Sequence, residues 1–212
     1  STVATTEQAI IRVLPSPGDH APFTESFEFQ QTALQKGWIL ETRGQYGWEV
    51  TSSASYTGDH SLQMVNFANT ADTKYDAVSP SYDLSNMETA TLSFKYAYAQ
   101  RSDNSTDILR VYVSGNCGES WSLRYAAGGS QLTTIPNDVS PAPFIPGTTE
   151  WQEASFTIPP SLFSDNVRLR LELQTNDGNN LYIDDINLSG TFSTQPILLS
   201  PEDGATDVSI ST

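Results

Sequence analysis

The strongest constraint on this chain is a period of two. Leu109, Val111 and Val113 alternate with Arg110 and Tyr112; Val167, Leu169, Leu171 and Leu173 alternate with Arg168, Arg170 and Glu172; Phe94, Tyr96 and Tyr98 alternate with Ser93, Lys95 and Ala97. Successive side chains of an extended chain point to opposite faces, so each run makes a strand with one apolar and one polar side. Similar runs span Ser61 to Phe67, Trp121 to Tyr125, Trp151 to Ile158 and Leu181 to Leu188, with turn-forming clusters such as Ser102-Asp103-Asn104-Ser105 and Asn176-Asp177-Gly178-Asn179 among them. The one helical stretch the pattern allows, Gln30 to Gln35, carries no apolar stripe. The expected fold class is all-β, an antiparallel jelly-roll β-sandwich.

Charge narrows the partners. Lys and Arg number 10 against 25 Asp and Glu, a formal net charge of -15 over 212 residues. Such a surface repels phosphate backbones and anionic lipid headgroups, so neither nucleic acid nor membrane insertion is expected, and no apolar run approaches the roughly 20 residues of a membrane span. It favours cations, Ca²⁺ above all, which takes carboxylate and carbonyl oxygens. The single Cys117 excludes an internal disulfide and reads as a small residue near a turn. Because the sequence begins at Ser1, it reads as a piece of a longer polypeptide. Residues 1–19, a strand-like run from Glu7 to Leu14 and then Pro15-Ser16-Pro17-Gly18-Asp19, are expected to be a remnant of a preceding domain plus a linker. Residues 20–191 form the sandwich, and 192–212 a linker and the start of a following domain.

Several catalytic patterns are missing. His20 and His60 are the only histidines and stand too far apart for a zinc-binding helix; no nucleophile elbow and no phosphate-cradling loop occurs. His60 reads as a turn residue. A pair of sugar-cleaving carboxylates could be drawn from so many acids, but nothing in the sequence singles one out.

The most informative segment is Leu181-Tyr182-Ile183-Asp184-Asp185-Ile186-Asn187-Leu188. Leu181 and Ile183 share one parity, Ile186 and Leu188 the other, so a bulge at Asp184-Asp185 is needed to keep all four on one face. Adjacent carboxylates within a strand are costly unless paired, hydrogen-bonded or bound to a cation. If the first and last strands pair, Glu28 supplies an opposing carboxylate, and a metal held by Glu28, Asp184 and Asp185 answers the problem. The alternative is a solvated edge strand whose acids guard against aggregation.

Phe23-Thr24-Glu25-Ser26-Phe27-Glu28 before Gly37-Trp38, Ala77-Val78-Ser79-Pro80 before Tyr82-Asp83-Leu84, Leu92 to Tyr96, Asp107 to Ser114 leading to Cys117-Gly118-Glu119-Ser120-Trp121, and Asn180 to Ile186 occur in that order. Together they resemble MAM-like, galactose-binding-like jelly-roll modules of the choice-of-anchor J and cleaved-adhesin kind, as found after the catalytic domain of secreted bacterial pappalysin-type metallopeptidases. The resemblance covers nearly all of Phe23 to Leu188. It implies a structural Ca²⁺ held by Glu28 and Asp184, with Asp185 beside them, a preceding PKD-like domain and a following Ig-like or fibronectin-type one. With Cys117 alone, the chain departs from the disulfide-bonded animal MAM pattern.

Exposed aromatics on a sandwich face can stack on sugar rings; Trp38, Trp48, Tyr112 and Trp121 are the nominees, with Trp38 and Trp151 expected in the core. Arg110, Arg168 and Arg170 share the polar side with Tyr112. These, with Trp48, are the expected ligand-binding residues, suited to an acidic sugar or a peptide carboxylate; cross-strand pairing with Glu172 or other acids is the competing reading. The expected function is a non-catalytic accessory or binding module of a large secreted or cell-surface multidomain bacterial protein, a metallopeptidase being the expected parent. Its partners would be a glycan or protein substrate of that parent and the neighbouring domains of the same chain. The alternatives are a carbohydrate-binding module of a glycan-active protein and a sandwich-fold glycosidase or lyase.

Overall fold

The computed structural model describes residue 13 and residues 15–70, 72–135 and 139–193. In chain order its strands are Asp19–His20 (β1), Phe23–Glu25 (β2), Ile39–Leu40 (β3), Thr42–Arg43 (β4), Tyr46–Thr51 (β5), Ser61–Val65 (β6), Lys74–Val78 (β7), Tyr82–Asp83 (β8), Met87–Tyr98 (β9), Ile108–Ser114 (β10), Ser122–Gly128 (β11), Gln152–Ile158 (β12), Arg168–Gln174 (β13) and Leu181–Phe192 (β14). Apart from two single 3-10 turns, the described residues contain no helix. The fold is an all-β sandwich, as the alternation predicts. Gln30 to Gln35 is not helical: it is a run of turns tied by Thr32, whose amide donates to Gln35 Oε1 at 2.9 Å.

Two sheets carry the core. One has the order β11-β10-β13-β7-β3, the other β12-β9-β14-β6-β5-β4 with β2 also on β14. The β10–β13 register sets Val111 against Leu171 and Leu109 against Leu173, so that the apolar parity of both strands faces inward together. Opposite them, Leu92 and Phe94 of β9 and Leu62 and Met64 of β6 fill the space between the sheets. Each such side chain contributes about 1.5–3 kcal/mol by leaving water.

The chain closes on itself. β2 and β14 pair antiparallel, Glu25 against Ile186 and Phe23 against Leu188, which brings the opening segment to the closing one. The expected linker also joins the body at its end: Asp19 and His20 pair in parallel with Tyr82 and Asp83, and the Gly18 amide donates to the Asp165 carbonyl at 2.8 Å. The Glu7 to Leu14 run, Val13 excepted, and the Pro196 to Val208 segment lie outside the described residues.

Candidate functional site

The closing strand contains the bulge that its apolar phase demands. Ile183 pairs with Tyr96 and Asp184 with Lys95, but the next paired residue, Asn187, meets Ser93, so Asp185 and Ile186 together face Phe94. Asp185 sits at φ 45, a left-handed conformation that carries a real cost in a non-glycine residue. The return is that Leu181 and Ile183 at 0% and Ile186 and Leu188 at 1% exposure all reach the core.

The bulge leaves Asp184 fully buried on the outer side of the sheet, and its carboxylate reaches for a loop. Oδ2 accepts the Tyr56 amide at 2.7 Å and the Thr57 amide at 3.2 Å, and Oδ1 accepts the Asp185 amide at 2.7 Å. The Thr57 hydroxyl donates to Asp185 Oδ1 at 2.6 Å. Glu28 takes the other end of the same loop: its Oε1 accepts the amides of Asp59 at 2.8 Å and His60 at 2.6 Å, and Oε2 lies 3.1 Å from His60 Nδ1. Between the two holds, Gly58 turns at φ 61, and any side chain there would run into the Glu28 carboxylate. His60 is thus a turn residue with a carboxylate partner.

The electrostatics of the two ends differ. Burial pushes Asp184 up to about 6, outweighing the amides of Tyr56, Asp185 and Thr57, with the neighbouring Asp185 adding to the rise. Burial also pushes Glu28 upward, but the His60 ring and the His60 and Asp59 amides hold it below the usual carboxylate range. Glu28, Asp184 and Asp185 each contact the loop at 56–60, and what they grip is its N–H and O–H groups. Among the described residues no group of three His, Cys, Asp or Glu side chains is arranged to hold a metal. One feature of the donor set still suits a hard cation: no Lys or Arg nitrogen lies within ion-pair distance of the buried Asp184 carboxylate among the described residues.

The expected ligand-binding residues divide. Tyr112, Arg110 and Arg170 meet on the outer face of the five-stranded sheet, where Tyr112 pairs with Arg170 in register. The Arg170 guanidinium lies 4.2 Å from the Tyr112 ring centre and 5.0 Å from that of Trp121, forming a cation–π stack. Arg110 Nη1 donates to Glu172 Oε1 at 3.0 Å and Gln174 Oε1 at 2.9 Å, and Lys74 Nζ reaches the same Glu172 oxygen at 3.3 Å. Arg170 lies 3.8 Å from Asp76, whose carboxyl is raised by burial, against the lowering pull of Arg170 and with further raising from Glu172. The cations here face acids, as cross-strand pairing predicts.

Trp48 and Arg168 do not belong to this face. Trp48 is 1% exposed, with its indole N–H donating to the Tyr75 carbonyl at 2.9 Å, because its parity on β5 places it opposite Met64 inside the sandwich. Arg168 is buried at the end of β13, where Nε and Nη2 donate to the Ser79 carbonyl at 3.0 and 2.7 Å; the Ser79-Pro80 segment covers it. Trp38 is a core residue, as expected, with its N–H directed at Glu25 Oε2 at 3.3 Å. Trp151 is not: it packs half-buried against a small satellite cluster containing Ala97, Phe144 and Tyr182.

The loops at 103–107 and 176–180 meet at the carboxylate of Asp107. Asp107 is fully buried; it accepts from the Tyr98 hydroxyl at 3.0 Å, the Asn66 side-chain amide at 2.7 Å and the Asn176 backbone amide at 2.6 Å. Burial pushes it up to about 6 in spite of these donors. Its oxygens point to N–H and O–H groups, so it ties loops together. Beside it a cavity of about 690 Å³ opens, lined in part by Gln100, Asp103, Thr106, Ile108 and Gly128.

No protein-family model matches the chain, and no curated protein matches it by sequence. Solved structures do match. The K1 cleaved adhesin domain of Lys-gingipain from Porphyromonas gingivalis superposes with a TM-score of 0.58 at 16% identity, covering 81% of this chain and 99% of that one. The K2 domain of Lys-gingipain gives 0.57 at 16% over 80% and 98%. The K3 domain from Porphyromonas gingivalis gives 0.52 at 14% over 79% and 98%. At such identities the likeness establishes a common β-sandwich fold.

Proposed function

We propose that this sandwich is a non-catalytic binding module working within a larger secreted or cell-surface protein, with a metallopeptidase as parent. The observation that carries the binding role is the half-buried stack of Tyr112, Arg170 and Trp121 on the outer face of the five-stranded sheet. Rings held rigid beside a guanidinium present a flat amphipathic surface with little entropy left to lose on binding. The extracellular setting draws on the neighbours, which are by name adhesin domains of a larger protein.

The ligand we favour is carbohydrate. Arg110 and Lys74 direct their charge to Glu172, and Arg170 lies near Asp76, so the face is close to neutral rather than basic. Such a balance of donors and acceptors beside aromatic rings suits sugar hydroxyls better than an acidic sugar or a peptide carboxylate. Calcium is part of the proposal: Glu28, Asp184 and Asp185 do not form a three-carboxylate cluster as they stand, so they would hold the ion only by exchanging some of their amide and hydroxyl donors for it, and it would then add positive charge to a buried carboxylate and stiffen the loop at 55–60. The experiment is binding of the isolated module to an immobilised-glycan array. Retention by at least one glycan, weakened in a folded Tyr112→Ala variant, supports the reading; retention by none counts against it.

A further inference from the structure

We propose that the outer face of the seven-stranded sheet carries a second binding site, a platform for a neutral carbohydrate formed by Tyr56 and Trp151. It does not rest on the Tyr112 face. Outward positions of a sandwich sheet are ordinarily polar, yet here β9 offers Ala97, the residue after it is Ala99, and β14 offers Tyr182. Over them runs an aromatic row. Tyr56 meets Trp151 edge-on with ring centres 6.0 Å apart, and Trp151 meets Tyr182 at 6.4 Å. Tyr182, fully buried, anchors the row by donating its hydroxyl to the Phe144 carbonyl at 3.0 Å.

Tyr56 is the solvent end of that row and is 43% exposed. A tyrosine in a loop rich in Ser and Gly would ordinarily move freely, but its own amide is held by the buried Asp184. The ring is also fixed by Lys95, whose Nζ lies 4.7 Å from the ring centre and 2.9 Å from Glu153 Oε2. The register explains this: Lys95 stands directly between Glu153 on β12 and Asp184 on β14.

The chemistry of the site selects its ligand. The exposed Tyr56 ring can take the C–H face of a pyranose on its π face, and a paired ammonium and carboxylate next to it offer a donor and an acceptor to adjacent hydroxyls. The pair is neutral, and Asp184 and Asp185 lie beside it, so an anionic sugar is disfavoured. The Trp151 indole N–H is buried with no hydrogen-bond partner among the described residues, an unmet donor at the heart of the row.

The test is affinity electrophoresis in native gels cast with xylan, β-1,4-galactan or mixed-linkage β-glucan. The wild type is expected to be retarded by at least one of them. Tyr56→Ala, a change at an exposed position that the fold tolerates, is expected to weaken about tenfold the retardation that remains in a Tyr112→Ala background, where the other face no longer contributes. Trp151→Ala should match Tyr56→Ala, with circular dichroism showing both folded. Migration of the wild type unaffected by every polysaccharide overturns the proposal. Retardation lost in Tyr112→Ala but intact in Tyr56→Ala overturns it too, and leaves the Tyr112 face as the binding site.

Discussion

The carboxylate of Asp184 accepts the backbone N–H of Tyr56 at 2.7 Å, across 128 residues of sequence. Asp184 is buried because a bulge in the last strand keeps the core in phase, and the same bulge turns Asp185 toward Thr57. One local irregularity therefore shapes the core on one side of the sheet and a loop on the other.

Removing that hold should be costly. Asp184→Ala strands the amides of Tyr56, Thr57 and Asp185, and we expect a loss of about 2–4 kcal/mol in urea denaturation. Glu28→Ala removes a partly exposed carboxylate whose donors can turn to water, and the expected loss is about 1 kcal/mol. Equal losses at the two positions would contradict the difference in burial.

Metal removal tests the calcium proposal separately. EDTA should lower the melting temperature of the wild type, and Asp184→Ala or Glu28→Ala should abolish the difference between chelated and calcium-loaded protein, since a bound ion stabilises only the state that binds it. A melting curve unchanged by chelator removes calcium from the account.

Asp107 makes a pH prediction with a definite sign. Its folded value is pushed up to about 6, above the roughly 3.9 of an unfolded aspartate, so the folded state holds the proton more tightly. The resulting stabilisation is complete below about pH 4 and is lost as pH rises through about 6, to a limit of about 3 kcal/mol. The high net negative charge favours mild acid as well, so the informative quantity is the difference between variants. Asp107→Asn should flatten the stability profile between about pH 4 and 7; parallel profiles would show that Asp107 does not titrate there.

Trp48 and Tyr112, nominated together as sugar-stacking residues, should separate on substitution. Trp48→Ala opens a cavity in the core and should cost about 3–5 kcal/mol. Tyr112→Ala, on the outer face, should cost about 1 kcal/mol or less in thermal or urea unfolding. Comparable losses would contradict the placement of Trp48.

What the sequence made legible is what local pattern controls. The alternation at Leu109 to Val113 and Val167 to Leu173 marks strands β10 and β13, and the phase slip between Ile183 and Ile186 marks the bulge. Other features depend on distant partners. Trp48 lies in a short strand whose inward parity is set by Met64, and Arg168 shares the polar parity of Arg170 yet is covered by Ser79-Pro80. Tyr56 had no signal at all: a loop has no periodicity, and what positions it lies on the last strand. Trp151, just ahead of β12, packs outside the sandwich because Tyr182 and Phe144 build a second small cluster there.

The hold of Asp184 on the loop can be observed directly by amide hydrogen exchange. In the wild type the Tyr56 amide should exchange far more slowly than a free loop amide, and Asp184→Ala should release it while amides of the core strand β10 stay protected. Exchange of the Tyr56 amide at the unprotected rate in the wild type would contradict the clamp, and with it the placement of Tyr56 against Trp151.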